Sequence, residues 1–416
     1  MRRSSKNTAP KLSAEGQRLV TFAQALVQAG SRVEERTWER QLDASILKLL
    51  KSNHQDTIDN ALDPLAKIEL GAFDALMESA EALSESCIVE HDGVQYDVLL
   101  IAAPILAWTR FSIAAGPIAA DMVTTLSAHL SAHVLAPNTR VALAPTLFAI
   151  DQLPHTHAET YALTHRMAQA ALKGTALKQP VNPAETAPFL ADTRYLLMAV
   201  AAPVGTALFR WQASMQLNDR DHALAEWHAQ AMPNVMRILP GCGIDLLLPE
   251  AYYLACREGD KQIRPASVRA AVHYLTHTLN VAAEELHAII GGFAPEIPDS
   301  RIEEYRIGFT LGHEPDIIYG IVWPLYDPEE DEETAEPDPI MPIVPLSAGG
   351  VERRAAIVEI MALLEESGIT HIKRHSERFT MEFCDDCGAP LYPDIEAELV
   401  HPEMPEGTPQ GSTHLH

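Results

Sequence analysis

The sequence predicts an α/β protein in which duplicated βαβα units form a mostly parallel sheet, with an N-terminal helical region and a C-terminal CxxC knuckle. Three observations support this fold class. Two apolar runs at 98–104 and 196–203 both end in Ala-Ala-Pro, and each is followed by a second apolar run that ends in proline, at Pro145 or Pro249. Apolar runs alternate with amphipathic segments from about residue 92, as in βαβ units. A Cys-x-x-Cys-Gly sequence follows the last apolar strand pattern.

The chain should begin with a disordered tail over 1–12 and a helical region over 13–88. Ser13 is a suitable N-cap, and Leu19, Phe22 and Leu26 recur at the spacing of one helix face. Further amphipathic patterns predict helices over 32–51, 54–69 and 71–85. Pro64 falls inside the third pattern and could divide that helix.

Two α/β units should follow, over 89–190 and 191–300. Unit one has strand patterns at 94–104 and 139–144 and helix patterns at 117–135 and 156–173, before a proline-rich connector. Unit two has strand patterns at 194–203 and 243–248 and helix patterns at 220–238, 250–258 and 265–280. Strand runs that are apolar throughout are typical of parallel strands buried on both faces.

Residues 301–400 are predicted to form a third, α+β unit. Strand patterns at 306–311 and 317–325 precede a helix pattern at 350–367 and strand patterns at 369–374 and 378–383. An acidic, proline-rich stretch at 327–345 should be an exposed loop, because its run of carboxylates and its prolines disfavour a buried helix or strand. Residues 401–416 should be a frayed tail.

The composition excludes several classes of partner. Lys and Arg number 31 against 57 Asp and Glu, a net charge of −26, which disfavours nucleic acid and anionic membranes as partners. Residues 1–18 lack the apolar core of a signal peptide, and no apolar run is long enough to span a bilayer. Five cysteines in a chain of 416 residues suit a reducing cytoplasm.

The strongest chemical signal is the pair Cys384 and Cys387, followed by Gly388. Two thiolates at this spacing, directly after a strand, are typical of a structural zinc knuckle. Such a site needs four ligands. His401 is the best third ligand, and His375 or His371 the best fourth.

Other interpretations of this pair remain open. A thioredoxin-like redox pair would be followed by a helix, whereas Pro390 and Pro393 follow here. A plain structural turn is the remaining alternative, and a distant cysteine (Cys87, Cys242 or Cys256) could ligate if the fold brings it close.

Candidate ligand-binding residues stand near the predicted strand ends, where parallel α/β sheets bind ligands. Arginines and aromatic rings in such positions suit an anionic or planar ligand. The candidates are Arg110, His155, Arg210, Glu250 and Arg257. The chain has no P-loop, no G-x-S-x-G elbow and no kinase motif set.

Several segments carry a family resemblance: 96–108, 151–154, 247–252, 263–265, 320–326 and 384–393. On these the chain resembles an uncharacterised bacterial protein family, a domain of unknown function of about this length. The resemblance implies a bacterial, cytoplasmic, full-length unit and brings no catalytic residues.

Two functions are compatible with these features. The first is a non-enzymatic binding or regulatory protein with a zinc knuckle, which would take a protein or small-molecule ligand. The second is an enzyme that acts on a small anionic substrate at the strand ends between units one and two. A deep pocket in which Arg, His and carboxylate converge would favour the enzyme, and a shallow surface would favour binding.

Overall fold

The computed structural model describes residues 12–177, 189–214, 219–295, 301–312, 314–325 and 355–405. The predicted tail over 1–12 lies almost wholly outside the described residues, and so do the acidic loop at 327–345 and most of 401–416.

Four helices form the N-terminal region. They are α1 (Ala14–Val27), α2 (Arg32–Lys51), α3 (Gln55–Ile68) and α4 (Leu70–Glu85). Serine hydroxyls cap the first two, since Ser13 accepts from the N–H of Gly16 and Ser31 from that of Glu34. Pro64 lies inside α3, which continues through it. The apolar faces of the four helices enclose a core of their own.

The first sheet contains seven strands. They are β1 (Ser86–His91), β2 (Val94–Trp108), β3 (Gly116–Pro117), β4 (Arg140–Ala149), β5 (Ala191–Pro203), β6 (Gly243–Leu246) and β7 (Glu250–Ala251). The order is β1-β2-β5-β4-β3, and β6 and β7 also pair with β2. Every pairing in this sheet is antiparallel.

The prediction of duplicated βαβα units with a mostly parallel sheet is therefore wrong. The two Ala-Ala-Pro strands, β2 and β5, pair with each other in antiparallel register, with Val98 opposite Ala201 and Pro104 opposite Tyr195. Helices cover both faces of the pair, so the runs 98–104 and 196–203 within these strands are apolar throughout. Burial on both faces produces the same sequence pattern in an antiparallel strand as in a parallel one, and this caused the error.

The helices around the first sheet lie in two layers. One layer consists of α5 (Ala120–His133) and α8 (Asp219–Ile238), and the other of α6 (His157–Lys173) and α9 (Tyr252–Leu279). A short helix, α7 (Arg210–Ala213), precedes α8. The sequence predicted two helices, over 250–258 and 265–280, but the structure has the single helix α9, which continues through Pro265. The first half of α9 packs on the first sheet and its second half on the second.

The second sheet is mixed, with the order β10-β9-β8-β11. Its strands are β8 (Leu286–Ala294), β9 (Glu304–Leu311), β10 (Tyr319–Pro324) and β11 (His371–Thr380). The β8–β11 pair is parallel and the others are antiparallel. Helix α10 (Ala356–Glu366) and the end of α9 cover one face. The short strands β12 (Tyr392–Pro393) and β13 (Leu399–Val400) pair with each other.

A partly buried carboxyl group lies where the helical region meets α9. Glu85, the last residue of α4, accepts a hydrogen bond of 3.0 Å from the N–H of Tyr253. The pKa of Glu85 is raised to about 7, chiefly by burial and also by the Glu81 charge, against the opposing effects of the Tyr253 N–H and Arg257. The folded protein therefore binds a proton that the unfolded chain releases near pH 4.5.

We expect Glu85→Gln to stabilise the protein at pH 8 and to have little effect near pH 4.5. The raised pKa means that stability is lost as pH rises from the unfolded to the folded pKa, by on the order of 3 kcal/mol. Glutamine keeps an oxygen acceptor for Tyr253 and never ionises. Urea unfolding of wild type and variant at both pH values measures the difference. An equal difference at pH 4.5 and pH 8 would contradict the prediction.

Candidate metal centre

The knuckle is a tight turn that follows β11. Phe383 and Pro390 form a bridge at its base, and the N–H of Cys384 donates to the carbonyl of Ala389 at 2.8 Å. The N–H of Gly388 donates to the carbonyl of Cys384, also at 2.8 Å. Gly388 has φ +74°, a conformation that costs glycine little and strains other residues. The turn therefore holds both cysteines on one short, closed loop.

Three predicted ligands come together at this turn. The Sγ atoms of Cys384 and Cys387 and a ring nitrogen of His401 all lie within 4.8 Å of one another. Cys387 Sγ is 3.2 Å from His401 Nε2. Ligands around a tetrahedral zinc ion lie roughly 3.5–3.8 Å apart, given bonds of about 2.0–2.3 Å. The group could therefore bind a metal ion after small side-chain adjustments.

Backbone groups favour the thiolate form of Cys384. The N–H groups of Cys387 and Asp386 hydrogen-bond to the Cys384 sulfur and lower the pKa of its thiol. Metals bind the thiolate and not the thiol. The same N–H to sulfur arrangement is what the CxxCG spacing predicts for a zinc knuckle.

His401 is positioned by the pairing of β12 with β13 and by its own neighbours. It directly follows β13, and its Nδ1 lies 3.8 Å from Glu403 Oε1. Two residues further on, the N–H of Glu403 donates to the carbonyl of Ile317 at 2.8 Å. This backbone bond ties the residues after His401 to the segment before β10.

The other two predicted histidine ligands lie elsewhere. His375 is buried on β11, where its Nε2 lies 2.8 Å from the carbonyl oxygen of Asp394 and its Nδ1 3.5 Å from Glu377. The ring of His371 lies 4.5 Å from that of His287 on the neighbouring parallel strand. Neither belongs to the three-residue group found among the described residues. The alternation of side chains along β11 directs His375 toward the Asp394 loop.

A buried arginine fixes the base of the knuckle. Arg306, on β9, donates from Nη1 to the carbonyls of Glu382 and Leu391, both at 2.7 Å. Its Nε donates to Glu304 at 2.6 Å. Its guanidinium stacks on Phe293, with its central carbon 4.1 Å from the ring centroid. The sequence analysis missed this residue, although an arginine within the apolar run Tyr-Arg-Ile-Gly-Phe is a signal for a buried, paired charge.

Glycines on the second sheet allow the C-terminal segment to lie close against it. A Cβ at Gly320 would lie 2.1 Å from Tyr392 Cζ, and one at Gly291 would lie 2.8 Å from Pro393 Cγ. Tyr392 is fully buried. The segment around β12 therefore packs directly on the backbone of the sheet, and this contact places the knuckle.

The predicted ligand-binding residues do not converge. Arg257 donates to both carboxylate oxygens of Glu81, at 2.7 and 2.9 Å, and Glu250 forms an ion pair with Arg220.

Two further candidates form hydrogen bonds with nearby residues, and the fifth candidate lines a cleft. Arg210 donates to the carbonyl of Ser131 at 3.3 Å, and the N–H of His155 donates to Glu159 at 2.8 Å. Arg110 lines a separate cleft with a volume of about 530 Å³. The convergent pocket that an enzyme at the strand ends would need is therefore not formed by these five residues.

No helix in the described part of the chain combines the length and apolar character needed to cross a membrane.

Comparison with known families agrees with the resemblance in the sequence. Searches of curated proteins and of solved structures find no match. The profile of one family, described as "Protein of unknown function (DUF2863)", matches residues 4–415. Because this match covers nearly the whole chain, the predicted membership of an uncharacterised family of about this length is confirmed, and the protein belongs to the DUF2863 family.

Proposed function

We propose that this protein is a non-enzymatic binding protein whose C-terminal segment is held in place by one structural zinc ion. The observation that carries the zinc proposal is the group of two sulfurs and one imidazole nitrogen within 4.8 Å of one another. Thiolate and imidazole are the ligands that structural zinc prefers. A redox role is less well supported, because the residues after Cys387 form no helix.

The position of the group supports a structural role for the metal. The ion would join the knuckle to His401, fourteen residues after Cys387. The segment between them contains β12, which packs on the second sheet. The metal would thereby stabilise the packing of this segment against the second sheet. Cys384, Cys387 and His401 would supply three of the four ligands that a structural zinc site takes.

Two observations support binding over catalysis. Arg210, Glu250 and Arg257 are each occupied by a local partner. The described lining of the Arg110 cleft contains cationic and aromatic side chains and no carboxylate. An enzyme acting on a small anion would be expected to combine such cations with an acid or base pair.

The same proposal includes a cytoplasmic location and a limited range of partners. All five cysteines are unbridged, which suits a reducing compartment. The net charge of −26 favours a small-molecule or protein ligand over nucleic acid or an anionic membrane.

Metal analysis tests the zinc site directly. Protein purified without chelator should contain one zinc ion per chain, and Cys384→Ser and His401→Ala should each lose it, because each removes one of three protein ligands. Hydrogen exchange over 381–405 should then increase while 94–279 stays protected.

Cys242→Ser is the matched control for this experiment. Cys242 is a half-buried free thiol beside the core of the first sheet, so the variant should keep its zinc. Substoichiometric metal in the wild type, with both knuckle thiols freely titratable in the native protein, would contradict the proposal.

A further inference from the structure

A cleft at the end of β2 combines cations with exposed aromatic rings. It has a volume of about 530 Å³, within the usual range for small-molecule sites. Its walls are the segment that follows β2, the turn before β6 and the middle of α9. The described lining residues are Trp108, Thr109, Arg110, Phe111, Gly241, Ala266, Arg269, Ala270 and His273.

The charge of this cleft is opposite to that of the protein. Its described lining residues include two arginines and a histidine and no acidic side chain, in a chain of net charge −26. No hydrogen bond or ion pair joins Arg110 to another described residue. Arg269 is 57% exposed and faces Glu366 at 3.5 Å, an exposed pair of little strength. Both guanidinium groups are therefore available to an anion.

His273 lies close to Arg110 in the same cleft. Burial lowers the pKa of His273, and the charges of His277 and Arg110 lower it further. Arg110 and His273 therefore lie near enough to act on one bound group. An anion beside Arg110 would offset the repulsion between Arg110 and the protonated form of His273.

The aromatic wall is built into the fold. Trp108 is 36% exposed and Phe111 is 68% exposed. A Cβ at Gly243 would lie 2.3 Å from Trp108 Nε1, so the indole ring lies against the backbone of β6. Between the two rings, Thr109 donates from its hydroxyl to the carbonyl of Gly241 at 3.2 Å and from its N–H to that of Leu190 at 2.9 Å. The backbone that carries both rings is thereby fixed before any ligand binds.

We propose that this cleft binds a small organic anion that consists of a planar ring bearing a phosphate or carboxylate group. Arg110 and Arg269 would bind the anionic group, since a guanidinium matches both oxyanions in geometry, and Trp108 would stack on the ring. The inference rests on the proposed binding function and names its ligand class. It does not depend on the zinc site, which lies on the second sheet.

Binding of two charged probes and their uncharged counterparts tests the proposal with the full chain. The probes are adenosine monophosphate against adenosine, and salicylate against 2-hydroxybenzyl alcohol, and their binding is followed by calorimetry and tryptophan fluorescence. At least one anion should bind saturably and at least about tenfold more tightly than its counterpart. This follows because a hydrogen bond to a charged group contributes about 1.5–3 kcal/mol.

Single variants then assign the site. Arg110→Gln should weaken the affinity for the anion that binds by about tenfold or more. Arg210→Gln removes the same charge from an exposed arginine outside the cleft and should leave affinity unchanged. The phosphate and carboxylate arms show which oxyanion is preferred.

Three results would overturn the proposal: no binding of either anion, equal binding of charged and uncharged probes, or equal losses in the two arginine variants. Zinc content measured on the same samples separates this failure from failure of the metal site, because Arg110 lines the cleft and is not one of the three candidate metal ligands.

Discussion

Replacing Arg306 with methionine should lower the free energy of unfolding by about 3–5 kcal/mol, the usual cost of breaking a buried charged pair. The fully buried guanidinium holds Glu304 and the carbonyls of Glu382 and Leu391. Methionine fills much of the volume and donates no hydrogen bond. The substitution would leave a largely buried carboxylate and two carbonyl groups without their donor.

The knuckle should be released by the same substitution. Glu382 and Leu391 flank the loop that carries both cysteines. Losing the hydrogen bonds from Arg306 to their carbonyls therefore frees the base of that loop. We therefore expect Arg306→Met to lose the proposed zinc ion to a competing chelator faster than the wild type. Arg306→Lys should be intermediate, because an ammonium keeps the charge but cannot donate in three fixed directions.

Denaturant unfolding and hydrogen exchange over 381–405 measure these effects. Arg301→Met is the matched control, since Arg301 is exposed just before the same strand and should tolerate the change within about 0.5 kcal/mol. An Arg306→Met protein that unfolds within about 1 kcal/mol of the wild type would show that the guanidinium is not the anchor of the segment.

Gly320→Ala should also be strongly destabilising, by about 3 kcal/mol, at the upper end of the usual cost of overpacking. The added Cβ would lie 2.1 Å from Cζ and 2.4 Å from Cε1 of Tyr392. The tyrosine ring is fully buried and cannot turn away into solvent. The ring or the strand must therefore move, and β12 would separate from the sheet.

A double-mutant cycle with Tyr392→Leu tests this cause. The smaller, flexible leucine side chain should accommodate the methyl group. The double variant should therefore lose less unfolding free energy than the two single variants together, by about 1 kcal/mol or more. Gly71→Ala, in the first turn of α4 with only ordinary contacts to Val27, should change stability little. Strict additivity in the cycle would reject direct contact as the reason.

The candidate metal site was largely predictable because its geometry is local. Cys384, Cys387 and Gly388 lie within one turn, and His401 is a near neighbour in sequence, so spacing alone indicated the group. His375 is equally near but lies on a strand that directs it to the carbonyl of Asp394. Sequence distance could not distinguish these two histidines, because strand alternation and the later course of the chain decided between them.

The supporting residues were less visible. The strand β8 was missed because Gly291 and Gly292 interrupt an otherwise apolar run, and glycine pairs usually indicate turns. In the structure Gly291 instead leaves space for Pro393 and Phe379. The role of Arg306 likewise depends on carbonyls from residues 76 and 85 positions later in the chain.

By itself the sequence determined the helical N-terminal region, the buried character of 98–104 and 196–203, and the CxxC knuckle with His401. Periodicity, runs of apolar residues and close spacing involve residues that are neighbours in the chain, so the local sequence pattern shows them directly. Only the tertiary structure decided that β2 and β5 pair in antiparallel register, that the second sheet is mixed, and that Arg110 faces Arg269 and His273 across a cleft. Strand direction and contacts between distant side chains depend on long-range packing. A strand buried on both faces has the same local sequence pattern in either direction, so that pattern does not specify the pairing.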